Sequence, residues 1–341
     1  ITRVKQTHGR PDRLDEGKFA MPPIDQWVTF EPLTGSPVGI AALLFAALYL
    51  RGAIWMWRNR RRWAIARTAS FLIGCALIFA ITMFGVNRLA TESITALVFQ
   101  QITLLTVVPP LLIAGSPGLL LLRSTPHTGL GRLVLRAAHG GLRSRFWSAA
   151  LHPVVAIVIA ILLYPVLYLT DAISVIMRIP FGQDALLFVI LVLGIVSATP
   201  LWSSDPLPRQ PSFAARFVDI AVEIQIHAIF GLILLRTATP LFSAYATPTG
   251  SHDPVIDQAI AGTLVWTYAE LPMFVVLIVC LSRWRARDVR TSRQRQKAED
   301  AELDSYNEYL ASLSRRRNES QGMSDNRLDH ASTAFNTTAA R

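Results

Sequence analysis

Apolar residues come in runs of about twenty along this chain, and charged residues gather between the runs, a pattern that predicts membrane-crossing helices. The runs are Pro37–Trp57, Ala66–Val86, Ile94–Ala114, Ala149–Leu169, Ala185–Trp202, Ala214–Leu235 and Gln258–Ser282. The expected fold class is therefore an all-α integral membrane protein, a bundle of about seven transmembrane helices. Hydrocarbon offers no partner to backbone N–H and C=O groups, which selects helix for every run. One run departs from the pattern. In "LVFQQITLLTVVPPLLIAGSP", Leu97 to Pro117, Gln100 and Gln101 carry amides into the apolar stretch, and Pro109–Pro110 removes two backbone donors. We expect the glutamines to face the bundle interior, and the proline pair to break the helix and shape the floor of a polar pocket.

Outside the runs the chain is polar. Residues 1–36 form a mixed lead-in ending in "WVTFEPLTGSP". The chain opens at Ile1 without methionine or the apolar core of a signal peptide, so we expect a truncated, processed or unusually started sequence. The membrane domain is expected over 37–284, followed by a charged and amphipathic helix over 285–314. There Leu303, Tyr306, Leu310 and Leu313 recur at helical spacing. The Asn, Ser, Thr and Ala composition of 315–341 predicts a disordered tail.

Charge orients these elements. The net charge is +10 over 341 residues. The arginines gather at the ends of the runs: Arg58, Arg60, Arg61 and Arg62 after the first, Arg123, Arg132, Arg136, Arg143 and Arg145 after the third, Arg209 and Arg216 flanking the entry to the sixth, and "RWRARDVRTSRQRQK" after the seventh. The opposite loops hold only Arg88, Arg178 and Arg236. Positive-inside bias then predicts the N-terminus outside and the C-terminus in the cytoplasm, and accounts for the basic balance without a nucleic-acid partner. Cys75 and Cys280 both lie inside apolar runs, so neither a disulfide framework nor a CxxC metal knuckle is present. HExxH and GxxxxGK[ST] motifs are absent, and His227 lacks the facing histidine that a membrane haem would need. "NES" and "NTT" match a glycosylation pattern, but the predicted cytoplasmic side makes that coincidence. No enzyme chemistry is expected.

Ionisable groups inside a membrane run are costly and hence functional candidates. Asp219, Glu223 and His227 follow one another at i, i+4 and share one helix face, suited to metal or proton chemistry. Asp219 near Arg216, with Glu223 and His227 satisfying each other, is the structural alternative. In the last run Asp257 and Gln258 stand at the mouth, while Glu270 lies deeper, just before Pro272, which cannot donate to the Tyr268 carbonyl. Gly262 allows close helix packing. Met273 and Cys280 share a face; Cys75 and Met83 are looser, roughly 80° out of line. Cys75 and Met273 are expected at similar depth, where soft sulfur suits copper(I), although both residue types are also common core fillers. The candidate metal ligands are thus His227, Glu223, Glu270, Cys75 and Met273. The candidate polar pocket comprises Gln100, Gln101, Asp219, Asp257 and Gln258.

Several motifs together resemble the CtaG (caa-type) family of cytochrome c oxidase assembly factors, in its actinobacterial branch, whose members are often fused to a CopD-like copper domain. They are "YLRG" at Tyr49–Gly52, "PPLLIAGSP" at Pro109–Pro117, "HPVV" at His152–Val155, "DQAIAG" with "VW" and "ELP" in the last run, then "RW" and "LDSYNEYLASL". The resemblance covers about Trp27 to Leu313. It implies a bacterial plasma-membrane protein that helps mature an aa-type terminal oxidase, with copper reaching the haem–copper centre. Family members commonly carry histidines in their spans. The matching positions here are Leu97, Gln101, Leu163, Gln183 and Leu187, so this chain is a divergent member that keeps the scaffold and lacks much of the histidine set.

These readings lead to three functional expectations. The first is an assembly factor aiding copper delivery, partnered by a terminal oxidase subunit or other assembly factors in the lipid bilayer. The second is a metal-free degenerate scaffold that binds those partners. The third is a copper or proton transporter using the Asp219–Glu223–His227 face.

Overall fold

Ser36–Pro37, His152–Pro153 and Asp253–Pro254 each start a helix by one device. The side chain of the first residue accepts a hydrogen bond from the backbone N–H two residues on, and proline, which has no N–H to leave unpaired, takes the first helical position. The computed structural model describes residues 24–32, 35–126, 128–202, 213–246 and 253–338. Its helices are α1 (Ile24–Val28), α2 (Pro37–Arg58), α3 (Ile65–Met83), α4 (Gly85–Glu92) and α5 (Ile94–Ile102). A π turn, Thr103–Val107, joins α5 to α6 (Val108–Ala114), followed by α7 (Pro117–Ser124), α8 (Leu130–Arg143) and α9 (Arg145–Ala150). Then come α10 (Pro153–Tyr168), α11 (Ala172–Met177), α12 (Gly182–Trp202), α13 (Phe213–Arg236), α14 (Pro254–Thr267) and α15 (Glu270–Thr338). Among the described residues the extended pairing is a single bridge between Phe30 and Phe84.

The all-α membrane architecture agrees with the hydropathy pattern, and several boundaries differ. Six described helical stretches are long and apolar enough to cross a membrane. The fourth expected span is α10, whose 16 residues fall short of that length. The third runs on to Ser124, because Pro117 restarts the helix after the left-handed Ser116. The expected loop between the third and fourth spans is largely helical, as α8 and α9. The tail expected to be disordered is helix as far as Thr338, since no proline follows Pro272 to stop it. Most of the lead-in, Arg209 and residues 339–341 lie outside the described residues. The chain divides into two units, Ile1–Cys280 and Leu281–Arg341.

The proline pair is accommodated rather than breaking the helix. Leu105 meets Pro109 and Pro110 at i+4 and i+5, neither able to donate, and the Val108 N–H is diverted to the Thr103 carbonyl. Gly194 of α12 packs against the carbonyls this leaves: a Cβ there would stand 2.5 Å from the Leu105 oxygen and 3.0 Å from that of Leu104. Gly262 has the packing role expected of it. A Cβ at Gly262 would lie 2.6 Å from the Gly231 oxygen, and one at Gly231 would lie 2.8 Å from the Gly262 oxygen, so α13 and α14 meet backbone to backbone.

The last span is interrupted. It ends as α14 at Thr267 and resumes as α15 at Glu270. The intervening Tyr268 stacks on Phe99 at 5.4 Å between centroids and shares a hydrogen bond with the Thr103 hydroxyl at 3.1 Å. Around α2, Tyr49 donates to the Gly115 carbonyl at 2.6 Å and stacks on Phe71 at 4.1 Å.

Replacing Gly194 by valine pushes a side chain onto fixed carbonyl oxygens. We expect Gly194→Val to cost about 2 kcal/mol and to lower the thermal unfolding midpoint in detergent, while Gly140→Ala, inside α8 with open space around its Cβ, does not lower it and raises it slightly.

Candidate functional site

α13 positions Asp219, Glu223 and His227 one turn apart, and all three are buried. Glu223 is fixed by the Ser197 hydroxyl of α12, which donates to its Oε1 at 2.6 Å. The His227 ring meets Tyr164 of α10 edge-on at 5.4 Å, and Tyr164 in turn stacks on Phe230 at 5.5 Å and Tyr168 at 5.7 Å. Glu223 and His227 open onto a cavity of about 40 Å³, enough for a small ion or a water. Thr106, Tyr164, Ser197, Trp202 and Met273 complete its polar and sulfur lining, with Leu105, Pro110 and Leu163 among the apolar walls. His227 Nδ1, the Tyr164 hydroxyl and Trp202 Nε1 are buried there without a hydrogen-bond partner.

The expected ligand set is therefore divided. Glu223, His227 and Met273 line one cavity, whereas Cys75 and Glu270 are not among its lining residues. Cys75 is core on α3, which packs against α2 and α6, while α13 packs against α10 and α14. Similar depth in the membrane does not bring two residues together when their helices occupy different sides of a bundle. Glu270 is buried at the start of α15, with neither carboxylate oxygen hydrogen-bonded. Asp219, one turn before Glu223, is also buried without a hydrogen-bond partner and is not among the lining residues. Among the described residues no three of His, Cys, Asp and Glu come together as a metal-binding group.

The polar-pocket residues are likewise distributed over separate tasks. Gln100 and Gln101 are both buried in the bundle interior, as expected, but they point to different partners. Gln100 Nε2 donates to the Ile81 carbonyl at 2.7 Å and to Asn87 Oδ1 at 3.0 Å. Gln101 Oε1 accepts from the Tyr168 hydroxyl at 2.6 Å. Asp257 caps α5, accepting from the Ser93 hydroxyl at 2.9 Å and from the Ile94 N–H at 2.8 Å. Gln258 Oε1 accepts from the Leu241 N–H at 2.8 Å, holding the turn after α13. A second, smaller cavity of about 10 Å³ is lined by Gln101, Leu163, Tyr164 and Tyr168. Two of the positions that the resemblance pairs with histidine thus meet here, as an amide and a leucine.

Tyr164, Ser197, Trp202 and Thr106 were not singled out from the sequence. Tyr164 carried a signal, since a hydroxyl within the otherwise apolar "AIVIAILLYPVLY" needs a reason to be there. Ser197 in "GIVSATP" is too small and too common in membrane helices to stand out.

The site and its helices lie within one region of similarity to known proteins. The family model of the cytochrome c oxidase caa3 assembly factor (Caa3_CtaG) matches residues 47–287. The chain belongs to that family. It is a multi-pass bacterial membrane protein of the Caa3_CtaG family, and uncharacterized mycobacterial proteins are similar to it. One from Mycobacterium bovis and one from Mycobacterium tuberculosis are each 27% identical over 292 residues, covering 83% of this chain and 44% of the relative. One from Mycobacterium leprae is 24% identical over 298 residues, with the same coverage. The chain spans less than half the length of these relatives. No solved structure matches it.

Asp257 belongs to the family-typical "DQAIAG", and its observed contacts are those of a helix cap. We expect Asp257→Ala to destabilise the chain by about 2 kcal/mol, the cost of a lost cap and orphaned buried donors. Thermal unfolding in detergent measures this.

Proposed function

We propose that this assembly factor carries copper(I) toward the haem–copper centre of an aa-type terminal oxidase, with the ion as cargo. The observation that carries the reading is the meeting of three donors of different kinds at one cavity: the His227 imidazole, the Met273 thioether and the Glu223 carboxylate. Copper(I) is soft and suits imidazole and sulfur ligands, which fits this donor set. The unpartnered, buried Nδ1 of His227 supplies a lone pair or an N–H that no protein group uses. The Glu223 carboxylate, held by Ser197, would offset the cation's charge in a medium that solvates ions poorly. A site with so few hard anchors suits a carrier, because release to an acceptor is ligand exchange and needs no bond to be made or broken within the chain.

Copper(I) bound per purified chain, measured under reducing conditions against a competing chelator, tests this. The wild-type chain should retain stoichiometric copper, and His227→Ala and Met273→Leu should each weaken retention by ~10-fold or more, about 1.4 kcal/mol. Cys75→Ser, away from the cavity, should leave affinity unchanged. Wild-type affinity in both cavity variants would place the ion elsewhere.

A second reading rests on α15. Leu303, Tyr306, Tyr309, Leu310 and Leu313 are all exposed on that helix, an apolar face suited to an oxidase subunit or another assembly factor. On this metal-free scaffold reading, removing residues 303–341 abolishes co-purification with the partner while copper retention stays as it was; intact co-purification removes the docking role.

A further inference from the structure

α2 carries an arginine inside its membrane-crossing stretch. That stretch runs from Pro37 to Arg58, and Arg51 stands two turns before its end, about 10 Å along the helix. At 100° per residue the positions of Arg51, Trp55 and Arg58 fall within an arc of about 60°. All three are exposed, and Leu48 and Ile54, exposed on either side of the arc, give the stripe apolar margins.

Beyond the helix end the chain closes a tight turn. The Arg60 N–H donates to the Trp57 carbonyl at 3.0 Å and the Arg61 N–H to the Met56 carbonyl at 2.9 Å, with Arg60 left-handed at a φ of 53°. Glycine takes that position in such a turn at least cost, so an arginine there points to use of its side chain. Arg61 is already committed: its guanidinium lies 5.0 Å over the Trp55 ring, and its Nη1 donates to the Arg123 carbonyl at 3.3 Å. Arg51, Arg58, Arg60 and Arg62 are exposed and have no side-chain hydrogen bond or ion pair among the described residues.

Two further facts select the partner. The chain contains no Asp or Glu from Pro32 to Thr91, so this region holds no acidic side chain of its own to neutralise them. Positive-inside bias accounts for arginines past the end of a span, but not for one inside it, where an unpaired guanidinium is costly. A soluble anion would reach Arg60 and Arg62 in the turn and leave Arg51 without a counter-charge. A phospholipid satisfies both levels. Its phosphate lies at the depth to which the long Arg51 side chain extends, and its acyl chains run along Leu48 and Ile54.

We propose that this face of α2 binds the phosphate of an anionic phospholipid such as phosphatidylglycerol through Arg51 and Arg58, with Arg60 and Arg62 holding the headgroup from the turn. This goes beyond the copper reading and does not depend on it. Trp55, held by Arg61, lies between the two helical arginines at the depth where indole rings favour the interface.

The test places a benzoylphenylalanine photo-crosslinker at Ile54 of the full chain, which keeps the four arginines and Trp55, with adducts identified by mass spectrometry. In nanodiscs of mixed phosphatidylcholine and phosphatidylglycerol, phosphatidylglycerol adducts should be enriched about 5-fold or more over the bulk lipid ratio. The double variant Arg51→Gln, Arg58→Gln should fall to the bulk ratio, and Arg51→Lys, Arg58→Lys should keep the enrichment. Arg60→Gly with Arg62→Gln, in which glycine suits the left-handed backbone and the fold is preserved, should lower it about 2-fold or more. Bulk ratio in the unaltered chain, or full enrichment in the glutamine or glycine variants, overturns the proposal. Loss of enrichment on adding excess inorganic phosphate at constant ionic strength overturns it in favour of a free-anion site, and adducts to a protein instead of lipid in native membranes overturn it in favour of a protein contact.

Discussion

Two adjacent prolines in the middle of a membrane-crossing helix leave carbonyl groups that hydrocarbon cannot solvate, and much of the bundle is arranged around that fact. Leu105 has proline at both positions that would normally supply its donor. The π turn before Val108 widens the helix there, and Gly194 lets the backbone of α12 close against the exposed oxygens. Leu105, Thr106 and Pro110 then form one wall of the larger cavity, and Leu163 and Tyr164 of α10 face it. The irregular backbone sits where irregular backbone is tolerated in a membrane, buried in protein and bordering a cavity. The proline pair therefore shapes the cavity without contributing a donor to it.

The motifs that tie this chain to its family are for the most part architecture. Tyr49 of "YLRG" donates to Gly115 of "PPLLIAGSP", joining α2 to the end of α6. His152 of "HPVV" caps α10 with its own Nδ1. Asp257 of "DQAIAG" caps α5, a helix 160-odd residues earlier in the chain, through hydrogen bonds to Ser93 and Ile94. In water such bonds are exchanged for others at little net cost; inside a bilayer each unmade one is expensive, so the residues that make them are informative about fold. They say little about chemistry. A family assignment resting on them carries the scaffold with more authority than it carries a ligand set.

Hydropathy made the helices legible, because a bilayer tolerates little else, and the interior placement of Gln100 and Gln101 followed from the cost of an amide in lipid. What periodicity could not supply was the neighbour across the helix. Asp219, Glu223 and His227 share a face as their spacing required, yet Glu223 is held by Ser197 of α12 and His227 meets Tyr164 of α10, neighbours that the spacing within α13 does not reveal. Cys75 and Met273 were paired by depth alone, and lateral position in a bundle has no signature in one sequence. The π turn escaped for a related reason: proline announces a missing donor but not whether the helix breaks, kinks or widens. The arginines of α8 do not signal its helical form, because they orient a topology equally well in a loop or in a helix.

On the proposed copper reading, cation handling does not require the positions at which the resemblance implies histidine. At Gln101 the amide oxygen is committed to Tyr168, and Leu97 and Leu187 are fully buried core, so those positions offer no imidazole to a metal. The unpartnered His227 Nδ1 and the Met273 thioether lie across Tyr164, which lines both the smaller cavity with Gln101 and the larger one with His227, Glu223 and Met273. On the proposed copper reading, the tyrosine ring separates Gln101 from the ion's cavity, and a set with one imidazole and one thioether favours the monovalent ion over copper(II), which prefers more nitrogen and oxygen donors in tetragonal geometry. For a carrier that must surrender the ion to an oxidase subunit, a site with few strong donors shortens the wait for exchange, so a single histidine is compatible with the proposed role rather than opposed to it.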